Sequence, residues 1–178
     1  DLAMESEEYL RELAQHHVSG LLKIAPEHVS PGVLRLMNKE APPAAGAPAK
    51  ARGSASAALA PGYEPGASGE PKASPSALEE FRRAFETASV GREQHLKYYF
   101  MVAHPGSGPR EAEELAREIR RLEKEGERPV EGVQIFTPTP MTVSTCMYHT
   151  GVDPISGEKV HVPRTFAEKK EQKRILQK

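Results

Sequence analysis

The sequence predicts an α/β fold assembled from strand–turn–helix units, and three observations predict it. Three short apolar, β-prone runs, LLKIAPEH (21–28), YYFMVAHPGS (98–107) and GVQIFTPTPMT (132–142), each end at proline beside a polar residue. Two of them lead into helix-start chemistry. The intervening segments have the length that a parallel pair needs for a crossover helix. With right-handed crossovers the expected product is a curved parallel sheet. Polar residues just past the carboxyl ends of parallel strands are where such folds bind ligands. Each of the three turns is therefore a candidate site.

The elements follow in order along the chain. Ser6 opens a helix over 6–15 with Leu10, Leu13 and Ala14 on one face. Gly20 ends the connection, and 21–26 forms the first strand. Ser30 followed by Pro31 is an N-cap with proline at the first helical position, where the missing N–H costs nothing, and Val33, Leu34 and Met37 carry a helix to about Lys39. Residues 41–75 are almost entirely Ala, Pro, Gly and Ser. Such a stretch buries too little apolar surface to offset roughly 1–2 kcal/mol per residue of backbone ordering, so a disordered insertion is expected. Ser76 with Glu79 makes a capping box for a helix that buries Phe81, Ala84, Phe85 and Ala88 and ends near Gly91. The second strand covers 96–103. Ala112, Leu115, Ile119 and Leu122 line one face of a helix over 110–125, stopped by Gly126. The third strand is 132–137. Residues 138–165 read as irregular, with TGVDPISGEKV forming a turn or short hairpin, and the charged tail FAEKKEQKRILQK suits a helix.

Composition excludes several classes. The 24 Lys and Arg nearly balance the 25 Asp and Glu, so there is no basic excess for nucleic acid. No apolar stretch approaches the ~20 residues of a membrane span. A single cysteine, Cys146, excludes a disulfide framework and fits a reducing, cytoplasmic setting. Cys146 is expected as a small buried hydrophobe. The seven histidines share no ligand spacing, so no metal site is assigned to this chain. A start at Asp1 that runs straight into a helix reads as a piece of something longer.

The turns offer specific chemistry. Alternation places Lys23, Ala25 and Glu27 on one strand face, so Lys23 and Glu27 can pair, either to hydrogen-bond a ribose or carboxylate or as a structural ion pair at the rim. In His104-Pro105-Gly106, the glycine lets backbone approach a ligand closely and the following helix N-terminus favours an anionic group. His104 is placed to act as general acid or base, to contact a cofactor, or to be held by a backbone carbonyl. Phe136-Thr137-Pro138-Thr139-Pro140 is a stiff extended segment. Its backbone can read a nucleobase edge with Phe136 or Met141 packed on the base, or its prolines serve shape alone.

Three stretches together resemble the YgiQ-type family of radical SAM proteins: HHVSGLLKIAPEHVSPGVLRLMNK (16–39), FRRAFETASVGREQHLKYYFMVAHPGS (81–107) and VQIFTPTPMTVSTCMYHTGVDPISGE (133–158). KIAPEH, AHPG and FTPTPMT in this order carry the resemblance. The segments are more distantly similar to the methylthiotransferase branch, where a polar cluster precedes a VLxxMxR helix, as Glu27-His28 precede VLRLMNK here.

The resemblance implies a partial (βα)6 TIM-like barrel, of which this chain supplies roughly strands four to six. It implies residues 1–40 and 76–150 as the C-terminal half of that barrel, 41–75 as an insertion and 151–178 as a C-terminal extension. It implies S-adenosylmethionine (SAM) and a [4Fe–4S] cluster as cofactors of the intact protein, with SAM across the C-terminal rim. By position it nominates Lys23, Glu27, His28, His104, Phe136 and Thr137 as SAM contacts. The implied partners are the N-terminal half of the same barrel and a substrate of unknown identity. The implied chemistry is reductive cleavage of SAM to a 5′-deoxyadenosyl radical. The alternative is a non-catalytic nucleoside- or SAM-binding module, or an inactive remnant. The CxxxCxxC motif and the strand-two glycine-rich turn are absent from this sequence, and one cysteine cannot supply three thiolates. Ser107 stands where the wider superfamily has an acidic residue, and Ile135 where a polar one is common. A half barrel should also expose an unpaired edge at its first strand.

Overall fold

The computed structural model describes residues 6–39, 77–124 and 130–177. The 41–75 insertion, the Ser76 half of the capping box and the Gly126 stop lie outside the described residues.

Three strands, β1 (Leu21–Glu27), β2 (His95–Val102) and β3 (Val130–Ile135), form a parallel sheet in the order β1-β2-β3. β2 alternates cleanly, with Leu96, Tyr98, Phe100 and Val102 buried. These four side chains meet Ala14, Leu78, Phe85, Leu115, Ile119 and Leu122 in one core. The opposite sheet face is the open one: Lys23 and Ala25 are exposed, and Lys97 and Tyr99 are partly so.

Helix α1 (Glu7–Glu12) starts at Ser6, whose hydroxyl accepts from the Tyr9 amide at 3.1 Å, and continues through a π-helical turn at Leu13–His17. Gln94 satisfies the end of that turn by donating to the Ala14 and Val18 carbonyls at 2.7 and 2.5 Å. α2 (Pro31–Leu36) is shorter than predicted, because Asn38 turns to a positive φ of 56°. Ser30 occupies its N-cap position without a side-chain cap bond. α3 (Ala77–Ala88) buries Leu78, Arg82 and Phe85, while Phe81 and Ala88 pack on the core only partly buried. α4 (Pro109–Lys124) buries all four predicted residues, and Glu111 caps it by accepting from the Gly108 amide at 2.9 Å.

The C-terminal third departs from expectation. Residues 138–165 are not irregular throughout: α5 (Val143–Thr150) lies among them, capped by Thr142, which accepts from the Thr145 amide, and ended by left-handed Gly151. Its only buried residue is Met147, so no amphipathic stripe marks it in the sequence. The predicted hairpin forms around a Val152–Lys159 bridge, and the tail is helix α6 (Phe166–Ile175). α6 packs on α4, β2 and β3, so it follows β3 as α4 follows β2.

Candidate functional site

At the end of β1, the predicted Lys23–Glu27 pair does not form. β1 carries one more residue than β2 between the Ile24–Tyr98 and Glu27–Phe100 partners, a bulge that breaks the alternation. Glu27 takes a positive φ of 69° and faces Lys39 at 3.6 Å, while Lys39 also donates to the Ala25 carbonyl at 2.8 Å. Lys23 donates instead to Glu131 of β3, at 2.8 Å across β2. Their hydrogen bond raises the Lys23 pKa and lowers that of Glu131.

His28, just past β1, is buried. Its Nδ1 accepts from the Ser30 amide at 3.0 Å, so the hydrogen resides on Nε2. That Nε2–H has no hydrogen-bond partner among the described residues. Burial, with His104 nearby, holds the His28 pKa down at about 4 against the pull of Glu111, and the ring is neutral.

The turn after β2 is enclosed. Ala103, His104, Pro105 and Ser107 are all buried. Ala103 adopts φ 62° and Gly106 φ 91°. Gly106 does not leave space for a ligand: a Cβ there would overlap Leu36 Cδ1, and its amide donates to the His161 carbonyl at 2.7 Å. Its lack of a side chain serves packing between α2 and the C-terminal region. His104 Nδ1 lies 2.7 Å from the Pro105 carbonyl, which can only accept, so Nδ1 carries the hydrogen. Nε2 therefore accepts from the Ser144 hydroxyl of α5 at 2.8 Å. Burial lowers the His104 pKa, with the Pro105 carbonyl opposing.

After β3, Phe136 turns inward, edge-on to His104 at a centroid distance of 5.0 Å and tilted against Tyr148 at 6.0 Å. Tyr148 is itself held by Lys169, which donates to its hydroxyl at 2.9 Å. Thr137 is exposed, and Met141 is wholly so. Of the two side chains expected to meet a base, Met141 is the open one. Thr142 and Thr145 fold this loop on itself by donating to the Thr139 carbonyl at 3.0 and 2.6 Å.

The six nominated residues thus divide. His28, His104 and Phe136 form a buried row across the strand ends, whereas Lys23, Glu27 and Thr137 stand outside it. Cys146 is exposed rather than buried, because Met147 takes the inward position on α5. Ser144 hydrogen-bonds His104, and Gln172 hydrogen-bonds Ala103 and Ser107 on either side of it; no sequence motif singles out either residue. Asp153 anchors the hairpin onto α2: it accepts from Ile155 and Ser156 and lies 3.8 Å from Arg35. Burial pushes the Asp153 carboxyl up, and those partners more than offset it, leaving its pKa lowered. Among the described residues no group of three or more His, Cys, Asp or Glu side chains could hold a metal ion. Among them, too, no helix is long and apolar enough to cross a membrane.

The geometry defines a parallel α/β segment in which the turn after β2 is closed over by the chain's own C-terminal region. Residues 131–178 match a domain of unknown function, DUF3362, and the match begins inside β3. The chain is 43% identical over 176 residues to a UPF0313 protein of Geobacter sulfurreducens, covering 99% of this chain and 23% of the relative. A UPF0313 protein of Methanosarcina mazei is 38% identical over 178 residues, covering 99% and 22%. One of Methanocaldococcus jannaschii is 37% identical over 179 residues, covering 98% and 24%. No solved structure matches. Over nearly its whole length the chain is homologous to UPF0313 proteins, which are the YgiQ-type family of radical SAM proteins. It spans about a quarter of the length of these curated relatives.

Proposed function

We propose that this chain is the C-terminal half of a radical SAM core, covering strands four to six of a partial (βα)6 barrel and forming the wall on which SAM's adenosine rests. One observation carries the reading: His28 presents a buried N–H with no partner among the described residues at the end of a parallel strand, in a row with His104 and Phe136. A buried donor left unpaired costs about 1–3 kcal/mol. An oxygen or nitrogen acceptor from a ligand removes that cost, and SAM offers several.

The residues fit SAM in part. His28 supplies the unpaired donor, Thr137 and the exposed loop after it supply polar backbone, and Glu27 stands half-buried beside Lys39 to receive ribose hydroxyls. His104 and Phe136 act from behind, as a packed floor whose neutral imidazole is held by Ser144. Gly106 takes no ligand contact, because Leu36 fills the space above it.

These residues do not fit an iron–sulfur cluster. The single cysteine is exposed on α5, and a cluster needs three thiolates from the protein. The thiolates belong to the longer protein, and no step through the cluster follows from this chain. Bound SAM would supply the radical chemistry, with the electron delivered from outside this chain. This chain's own residues bind and orient the nucleoside and keep water from the buried row. The open sheet face, with Lys23, Lys97 and Tyr99, is the inner wall that the barrel's N-terminal half and the substrate share, in a reducing, cytoplasmic setting.

The test is calorimetric titration of the intact protein with SAM and with 5′-deoxyadenosine. Both are expected to bind, with affinity weakened about tenfold by Thr137→Ala together with His28→Phe. Heat with neither ligand would exclude this reading. It would equally exclude the rival, a nucleoside-binding module without turnover.

A further inference from the structure

Gln172 of α6 is fully buried and carries no charge, in a helix otherwise dominated by Lys, Glu and Arg. Its amide is committed to one loop. Oε1 accepts from the Ala103 amide at 2.9 Å and from the Ser107 hydroxyl at 2.9 Å, while Nε2 donates to the Ser107 carbonyl at 2.7 Å. Ala103 and Ser107 are themselves wholly buried, and they bracket the turn that carries His104. Ala103 is an L-residue at φ 62°, a conformation that persists only where the surroundings impose it. One side chain thus grips both ends of the turn, from a helix 65 to 69 residues further along the chain.

We propose that Gln172 is the positioning residue of the strand-end turn after β2. It holds Ala103–Ser107 in the one shape that seats His104 against Ser144 and Phe136. The region matched to a domain of unknown function then has a definite structural role. It completes the sheet with β3, covers the turn with α5 and clamps it with α6. This inference concerns how the turn is held and goes beyond the SAM reading. It shares with that reading only the expected effect on affinity.

A planar amide is needed because the turn presents two donors and one acceptor at once. Leucine at 172 keeps the volume and loses all three bonds. An ionised glutamate keeps both acceptor contacts and turns an oxygen toward the Ser107 carbonyl. A protonated glutamate restores the missing donor.

The test uses the intact protein, with Q172L and Q172E compared by hydrogen–deuterium exchange and SAM titration at pH 8 and pH 6. Q172L is expected to lose at least tenfold in protection across residues 101–108 at both pH values, with α4 and β1 unchanged. SAM affinity should fall about tenfold. Q172E should behave like Q172L at pH 8 and recover most of its protection at pH 6. Changes that wild type and Q172L also show between the two pH values are subtracted as common background. Unchanged protection of the turn in Q172L overturns the proposal. So does a loss spread evenly over α4, β2 and α6 in both variants at both pH values. If the wild-type protein binds no SAM, the SAM reading fails while the exchange pattern still decides the clamp.

Discussion

Ser144 donates to His104 Nε2 at 2.8 Å, joining α5 to the end of β2 across forty residues of sequence. Because Nδ1 is committed to the Pro105 carbonyl, this bond is the one that fixes the other side of the ring. Ser144→Ala leaves a buried nitrogen without its donor and should destabilise the turn by about 1–2 kcal/mol. Hydrogen exchange of the peptide spanning 98–108 reads this directly. His104→Phe, which replaces the polar ring by an apolar one, should make a second Ser144→Ala change nearly neutral. Equal costs for Ser144→Ala in both backgrounds would show that the hydrogen bond contributes nothing to the turn.

The buried histidines set a pH dependence whose sign is fixed by their lowered pKa values. Both are neutral when folded, and His28 holds to about 4, whereas an unfolded histidine takes up a proton near 6.5. Between those values the unfolded chain binds more protons, so stability is full above about pH 6.5 and is lost as the pH falls toward 4. For His28 alone the loss approaches an order of magnitude of 3 kcal/mol. His28→Gln should flatten the pH dependence of exchange protection in the β1–α2 turn over that window. An unchanged slope would place the sensitivity elsewhere.

Gly106 at φ 91° under Leu36 allows no side chain. Gly106→Ala should cost about 2–4 kcal/mol, combining overpacking with left-handed strain. In a Leu36→Ala background the steric part disappears and only the backbone part, about 1 kcal/mol, remains. Denaturant unfolding of the four members of this cycle checks it, and additivity would mean that Leu36 is not the obstacle.

Cys146 lies exposed on α5. Brief treatment of the native protein with iodoacetamide should alkylate the peptide that contains it to near completion, before unfolding. A thiol protected until denaturation would contradict the orientation of α5.

Much of the framework was legible because it rests on local chemistry. Periodicity found α4 from Ala112, Leu115, Ile119 and Leu122, and alternation found β2. Turn residues marked the strand ends, and the motif resemblance pointed to the family. What escaped depends on contacts distant in sequence. The Lys23–Glu27 pair failed because one extra residue in β1 inverts the pleat; Pro26, a residue that strands hold at edges or bulges, lies within it, and alternation alone passes over that signal. Gly106 looked like an opening for a ligand, yet Leu36 closes it from α2. α5 was hidden since Met147 is its only buried residue, although Thr142 and Gly151 bracket it as caps. Gln172 sits in a charged tail with no apolar pattern, and only the folded chain shows what its amide meets.

If this chain is the adenosine-side wall of a radical SAM core, the intact protein cleaves SAM. The most direct measurement is quantification of 5′-deoxyadenosine and methionine after the intact protein, reconstituted anaerobically with iron and sulfide, is given SAM and dithionite. Equal, cluster-dependent amounts of both products are expected. Q172L should give a several-fold smaller yield at limiting SAM and equal iron content. A protein that holds no iron–sulfur cluster, or that holds one in full and releases neither product, would contradict the proposed function.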